Sequence, residues 1–188
     1  MFRLGLIVNP LAGLGGPAGL KGSDAISLGK EQTQGLSLGR ADKRAQRALR
    51  RLASQSEELS IYCVPGTMGA DTVRAAGFEP TILAMPFQDG QEQTSAADTE
   101  MAARVLQEAG VDLILFAGGD GTARNMVNAV GLEQPVLGVP AGVKMHSGVY
   151  AISPEAAGEV ILMLMAGELV NIAEQEVRDI DEQAFREG

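Results

Sequence analysis

One stretch limits the folds open to this chain more than any other: Val111-Asp112-Leu113-Ile114-Leu115-Phe116-Ala117-Gly118-Gly119-Asp120-Gly121-Thr122-Ala123-Arg124-Asn125. Its first seven residues are apolar except for Asp112, which suits a strand buried on both faces, as in a parallel sheet. The run stops in the turn Gly118–Thr122, and a helix is predicted to follow. Glycines let a phosphate approach the backbone, and a helix start offers unpaired N–H groups and the positive end of its dipole. Asp120 places a carboxylate inside this anion-binding turn. That is costly near phosphate unless the carboxylate meets a proton, a metal or a hydroxyl, so the turn reads as a place for chemistry.

Around this stretch the chain alternates strands and helices. Arg3–Asn9 reads as a first buried strand, stopped by Asn9-Pro10. Ala41–Ser54 is a predicted helix with an apolar stripe at Ala45, Ala48, Leu49 and Leu52. A strand at Leu59–Val64, a short helix near Met68–Ala76 and a strand near Thr81–Met85 follow. Thr94-Ser95-Ala96-Ala97-Asp98 opens another helix, with a hydroxyl cap and an acid three residues on, and Ala97, Met101, Val105 and Leu106 are expected on its buried side. After the 111–117 strand come a helix over roughly Ala123–Val130, a strand at Pro135–Val139, and a turn at Pro140–Gly148. Ser153-Pro154-Glu155 starts a last helix through Met165, with Val160, Ile161 and Leu164 buried. This pattern predicts an α/β fold with a doubly wound, mostly parallel, Rossmann-like sheet. Ligands in such sheets bind beyond the carboxyl ends of the strands, where strand order reverses. Three glycine-containing turns, after the first strand, the 111–117 strand and the 135–139 strand, are expected to share one crevice there.

Between residues 9 and 40 lie eight glycines, at 13, 15, 16, 19, 22, 29, 35 and 39. That is too many for a regular element. The stretch reads either as a mobile surface loop or, the favoured reading, as a cover over bound phosphates. A lone glycine turn after a strand serves tight packing as often as phosphate binding; with the other turns beside it, Gly118, Gly119, Gly121 and Thr122 are expected to hold a donor triphosphate, with Asn9, Gly13, Gly15 and Gly16 lining the same groups. Asn125 sits one turn further along the helix. Lys144 either neutralises phosphate charge or is simply solvated. For His146, the single histidine, a packed or surface role is favoured over catalysis. Ser95 and Asp98 are favoured as structural caps. Asp120 is assigned as the base that orients and deprotonates an acceptor hydroxyl, or assists Mg²⁺.

A formal charge of −9 argues against a nucleic-acid partner, and no apolar stretch is long enough to cross a membrane. The basic cluster Arg40, Lys43, Arg44, Arg47, Arg50 and Arg51 reads as a solvated helix face in preference to a docking patch for an acidic ligand. The single cysteine, Cys63, lies in an apolar run and is expected to pack as a small hydrophobe, in keeping with a reducing, cytoplasmic setting. There is no cysteine–histidine spacing for zinc, no G-x-x-x-x-G-K-[ST] loop, and no G-x-G-x-x-G between a first strand and a helix.

Three motifs together carry a resemblance. Gly118-Gly119-Asp120-Gly121-Thr122 after a buried strand resembles the signature of the ATP-NAD kinase family, shared with diacylglycerol kinases and, less closely, phosphofructokinases. Asn9-Pro10-Leu11-Ala12-Gly13-Leu14-Gly15-Gly16 with Gly19-Leu20-Lys21-Gly22-Ser23-Asp24, and Gly138-Val139-Pro140-Ala141-Gly142-Val143-Lys144-Met145-His146-Ser147, are similar to a bacterial and archaeal branch of it. The resemblance implies an ATP-dependent, Mg²⁺-assisted kinase acting on a hydroxyl of NAD or a related small molecule. It also implies Asp120 in the catalytic role, and Asp98 able to face the ligand. It further implies that residues 1–168 form a nucleotide-binding domain, and that 169–188, a weakly alternating strand and linker, leads towards a β-rich domain and a homo-oligomer. Two features depart from the pattern. Asn128 is followed by alanine where the family's usual kinases carry an acid that binds nucleotide ribose, and the β-rich domain is not in this chain. A non-catalytic nucleotide-binding or regulatory module is therefore the alternative. A lipid kinase is disfavoured, because a −9 chain is repelled by anionic membrane surfaces.

Overall fold

In a computed structural model, residues 1–12, 40–85, 94–142, 145–168 and 172–178 are described. Five strands, β1 (Phe2–Val8), β2 (Leu59–Cys63), β3 (Pro80–Ile82), β4 (Leu113–Gly118) and β5 (Val136–Pro140), form one sheet in the order β3-β2-β1-β4-β5. Every neighbouring pair is parallel. The predicted Rossmann-like α/β fold is therefore the fold found, and strand order reverses between β1 and β4.

The helices are α1 (Arg40–Arg50), α2 (Ala70–Ala75), α3 (Ala96–Glu108), α4 (Asp120–Val130) and α5 (Pro154–Met165). Alternation along the strands sorts them into two layers, because successive side chains point to opposite faces of a sheet. Leu4, Leu6 and Val8 of β1, with Leu113, Leu115 and Ala117 of β4, face a core closed by Ala45, Ala48 and Leu49 of α1, Val73 of α2 and Ile161 of α5. Ile7, Ile114 and Phe116 face the other way, against Ala102, Ala103 and Leu106 of α3 and Ala123 and Met126 of α4. Each fully buried leucine or isoleucine contributes roughly 1.5–3 kcal/mol, so β4, buried along its whole length, anchors both cores.

Several boundaries move from the sequence-based expectation. α4 begins at Asp120, not Ala123, so Asp120 belongs to the helix's first turn. The third strand is shorter and earlier than 81–85, as befits an edge. A 3₁₀ stretch, Ala53–Glu58, was not foreseen. On α3 the buried face is Thr99, Ala102, Ala103 and Leu106, while Ala97 and Met101 are exposed. Small side chains bring this helix closest to the sheet, and that outweighs the larger Met101. On α5 the buried positions are Pro154, Ala157, Gly158 and Ile161, with Val160 and Leu164 only partly covered. An alanine at 158 would place its Cβ 2.7 Å from the Ala48 carbonyl oxygen, so glycine permits the close contact of α5 with α1.

The arginine-rich face of α1 is not simply solvated. Arg47 pairs with Glu155 at 2.7 Å, Arg51 pairs with Glu159, and Arg44 donates to the Pro140 carbonyl at the end of β5. These exposed pairs tether α1 to α5 with small individual energies. The Arg47 guanidinium holds the Glu155 carboxyl below the usual range; that contribution is present above the ordinary carboxylate pKa and is lost as pH falls through the lowered one. Ser95 and Asp98 form the expected capping box, with Ser95 N–H donating to Asp98 Oδ2 at 2.7 Å.

Cys63 is fully enclosed, and burial pushes its thiol up to about 11. It is therefore both inaccessible and protonated near neutrality. Iodoacetamide at pH 8 is expected to leave the native chain unmodified and to alkylate Cys63 only in the urea-unfolded chain. Stoichiometric labelling under native conditions would refute this packing.

Candidate functional site

The carboxyl ends of β1, β4 and β5 lie side by side, which brings together the turns that the sequence singled out. Asn9 extends β1 by donating its N–H to the Ala117 carbonyl at 2.9 Å. Its side chain does two further things. Asn9 Oδ1 accepts from Leu11 N–H at 3.0 Å, closing the turn at Pro10, and Asn9 Nδ2 donates to Thr122 Oγ1 at 3.0 Å. Asn9 thus ties the end of β1 to the first turn of α4 across the point where strand order reverses.

Gly118 ends β4 with its carbonyl accepting Ala141 N–H at 2.9 Å. An alanine Cβ here would lie 2.3 Å from Thr122 Oγ1, a clash with the first turn of α4. Gly119 precedes α4 in extended conformation, and its carbonyl accepts Thr122 N–H, Ala123 N–H and the Tyr150 hydroxyl, the last at 2.6 Å. Tyr150 lies beside β5, where residues 149–151 form a parallel bridge with Gly138. Its ring covers Gly138, where a Cβ would come within 2.3 Å of Tyr150 Cδ1, and meets Phe116 edge to face at 5.4 Å. An alanine Cβ at Gly142 would be 3.2 Å from Gly119 Cα, so the turns after β4 and β5 touch backbone to backbone.

Asp120 is half-buried and reaches across this junction. Oδ2 accepts His146 N–H at 2.7 Å, and Oδ1 accepts Ser147 N–H at 3.2 Å and the Ser147 hydroxyl at 2.6 Å. The carboxylate in the anion-binding turn therefore meets a hydroxyl and two amides, one of the resolutions that its placement demanded. Ser147 also accepts Arg178 N–H at 3.0 Å, which brings 172–178 onto the site. No strand occurs at these seven residues, where the sequence suggested one.

Of the candidate residues, Asn9, Gly118, Gly119, Asp120, Gly121 and Thr122 come together at the strand ends. Asn125, on α4, is buried. Gly13, Gly15, Gly16 and Lys144, with the glycine-rich 13–39 stretch, lie outside the described residues. Asp98 is engaged in its cap. Asn128 is exposed and donates to Glu100 at 3.4 Å. The sequence reading missed Tyr150, and it quoted Gly138, Gly142 and Ser147 within a motif without giving any of them a role of its own. The glycines inside and just after β5 were the available signal, since glycine in a strand marks close approach. Among the described residues no group of three or more acidic, histidine or cysteine side chains could enclose a metal. Mg²⁺ commonly uses one or two carboxylates with phosphate oxygens and water, and a single Asp120 fits that pattern. No helix among the described residues is long and apolar enough to cross a membrane.

Gly118→Ala is expected to destabilise the chain by about 1–3 kcal/mol in urea unfolding, since Thr122 must move and its bond to Asn9 is lost. Gly119→Ala, whose nearest neighbour would be Gly142 Cα at 3.6 Å, should cost less. Equal costs would contradict this account of the turn.

Comparison with known proteins supplies the rest. No curated protein matches the chain significantly. Among solved structures, the crystal structure of CalG4, the calicheamicin glycosyltransferase, is similar at 15% identity over 90% of this chain. The chain spans only 38% of that protein, with a TM-score of 0.39, a likeness too slight to bear on fold or chemistry. The family description "ATP-NAD kinase N-terminal domain" matches residues 4–169, which include β1 from Leu4, the other four strands and the junction around Asp120. The chain therefore belongs to the ATP-NAD kinase family, as its N-terminal domain.

Proposed function

We propose that this domain binds the phosphates of ATP at Gly118–Thr122 and that Asp120 takes the proton from a hydroxyl of NAD or a related small molecule as phosphoryl transfer proceeds. One observation carries the reading. Asp120 stands in the first turn of α4, beside the strand-order reversal, linked across the crevice to the turn after β5. Anions are favoured at such helix starts, and ligands of open parallel sheets bind at the reversal. Phosphoryl transfer asks the protein mainly for positioning and charge neutralisation, for which glycine turns and one base form a minimal set. Asn9, just past β1, and Thr122, in the first turn of α4, shape the phosphate edge, and Gly13, Gly15, Gly16 and Lys144 complete it in this reading. Mg²⁺, when bound to the nucleotide beside Asp120, would neutralise phosphate charge. The proposal extends to residues 169–188 as a lead into a β-rich C-terminal domain, to a homo-oligomer of the longer protein, and to the cytoplasm.

A second reading, a nucleotide-binding or regulatory module without turnover, is favoured by one observation. Asn128 points to Glu100 at the surface and is followed by Ala129, with no acid for nucleotide ribose. Asp120→Asn separates the two. If the domain is a kinase, the variant keeps Mg·ATP affinity while kcat/KM for acceptor phosphorylation falls about 10²–10⁴-fold. Acceptors to test are NAD, NADH, simple sugars and diols, with this chain and with an extended one. A wild-type protein that binds Mg·ATP yet phosphorylates none of them in either form would establish the module instead.

A further inference from the structure

We propose that Ser147 is the positioning residue of Asp120, and that the segment 176–178 belongs to the site because it holds Ser147 from behind. The proposal rests on the reading of Asp120 as proton acceptor given above. Ser147 is 8% exposed, and its hydroxyl is the middle member of a relay. Arg178 N–H donates to Ser147 Oγ at 3.0 Å, and the Ser147 hydroxyl lies 2.6 Å from Asp120 Oδ1 and 3.1 Å from the Arg178 carbonyl. A hydroxyl has one proton to give, and the charged, nearer carboxylate is the stronger acceptor. The hydroxyl therefore receives from the segment and donates to the carboxylate, and each bond polarises the next.

Neighbouring contacts keep the segment in place. Gly148 N–H donates to the Glu176 carbonyl at 2.9 Å, and Val177 packs against the core that contains Phe116. The Arg178 side chain takes no part in the relay; it pairs with Glu176. Only its backbone N–H is used.

The arrangement also distinguishes the two oxygens of Asp120. An ionised carboxylate offers about four lone-pair directions. Among the described residues, Oδ1 accepts from both the amide and the hydroxyl of Ser147, whereas Oδ2 accepts from His146 N–H alone. Oδ2 is then the oxygen with a direction left for an incoming hydroxyl proton, and Ser147 holds the carboxylate plane that presents it. The terminal torsion of an aspartate is otherwise broad, so without the hydroxyl the carboxylate turns more freely.

The test uses this chain with 13C at the aspartate carboxyl carbons, the Asp120 resonance being the one missing from Asp120→Asn. At pH 7 it is expected to move in Ser147→Ala and in Arg178→Pro, which deletes the donating N–H. It should keep its place in Arg178→Ala, which retains that N–H, and in Ser147→Thr, which retains a hydroxyl. If Arg178→Pro does not fold, the Ser147→Ala and Ser147→Thr pair decides. A resonance that stays in place in Ser147→Ala overturns the proposal. Where an acceptor is phosphorylated, Ser147→Ala should lower kcat about a hundredfold with the KM for ATP unchanged, and a change in KM alone would overturn the positioning role. Resonance shifts as expected in the variants, together with a wild-type chain that binds no Mg·ATP, would sink the nucleotide reading and leave the relay standing.

Discussion

The backbone-to-backbone approach of the turns after β4 and β5 is the constraint from which the rest of the site follows. Gly119 and Gly142 meet with no Cβ between them, and the Gly118 carbonyl accepts Ala141 N–H. A Cβ at Gly142 would press on the Gly119 Cα at 3.2 Å, tighter than ordinary contact, and it is across this approach that Asp120 reaches the amides of His146 and Ser147. Tyr150 closes the same junction from the side by donating to the Gly119 carbonyl, with its ring seated over Gly138. A half-buried carboxylate survives here because its charge is met by oriented donors, the arrangement that offsets the cost of leaving water.

Charge is handled locally in a chain whose formal net charge is −9. The arginines of α1 and its end serve chiefly as ties: Arg47 and, just past the helix, Arg51 to α5, and Arg44 to the end of β5. At the crevice the donors are amides, hydroxyls and the first turn of a helix. Such donors are fixed by the backbone and need little reorganisation when a charged group arrives, which is what electrostatic catalysis requires.

Much of this was legible in the residues because it is set by short-range rules. The apolar run Val111–Ala117 read as a doubly buried strand, and β4 is one, with Phe116 and Leu115 sent to opposite cores. Ser95 and Asp98 read as a capping box and form one. The faces of α3 and α5 were less legible. Hydrophobicity pointed to Met101 and Val160, whereas the buried positions are Ala102 and Ala103 on α3 and Ala157 and Gly158 on α5, the last against α1. How closely a helix may approach depends on its smallest side chains, and no one-dimensional pattern records the surface it must match.

The amino-acid order alone determined the βα alternation, a mostly parallel sheet and the placing of Asp120 in a glycine turn at a strand end. Periodicity, caps and breakers act over a few residues and are written into neighbouring positions. Only the tertiary structure decided what that carboxylate touches. Ser147 lies 27 residues away and Arg178 a further 31, and neither carries a local signature. Their meeting depends on which strands lie side by side and how nearly their ends approach, and those quantities exist only once the sheet has been assembled.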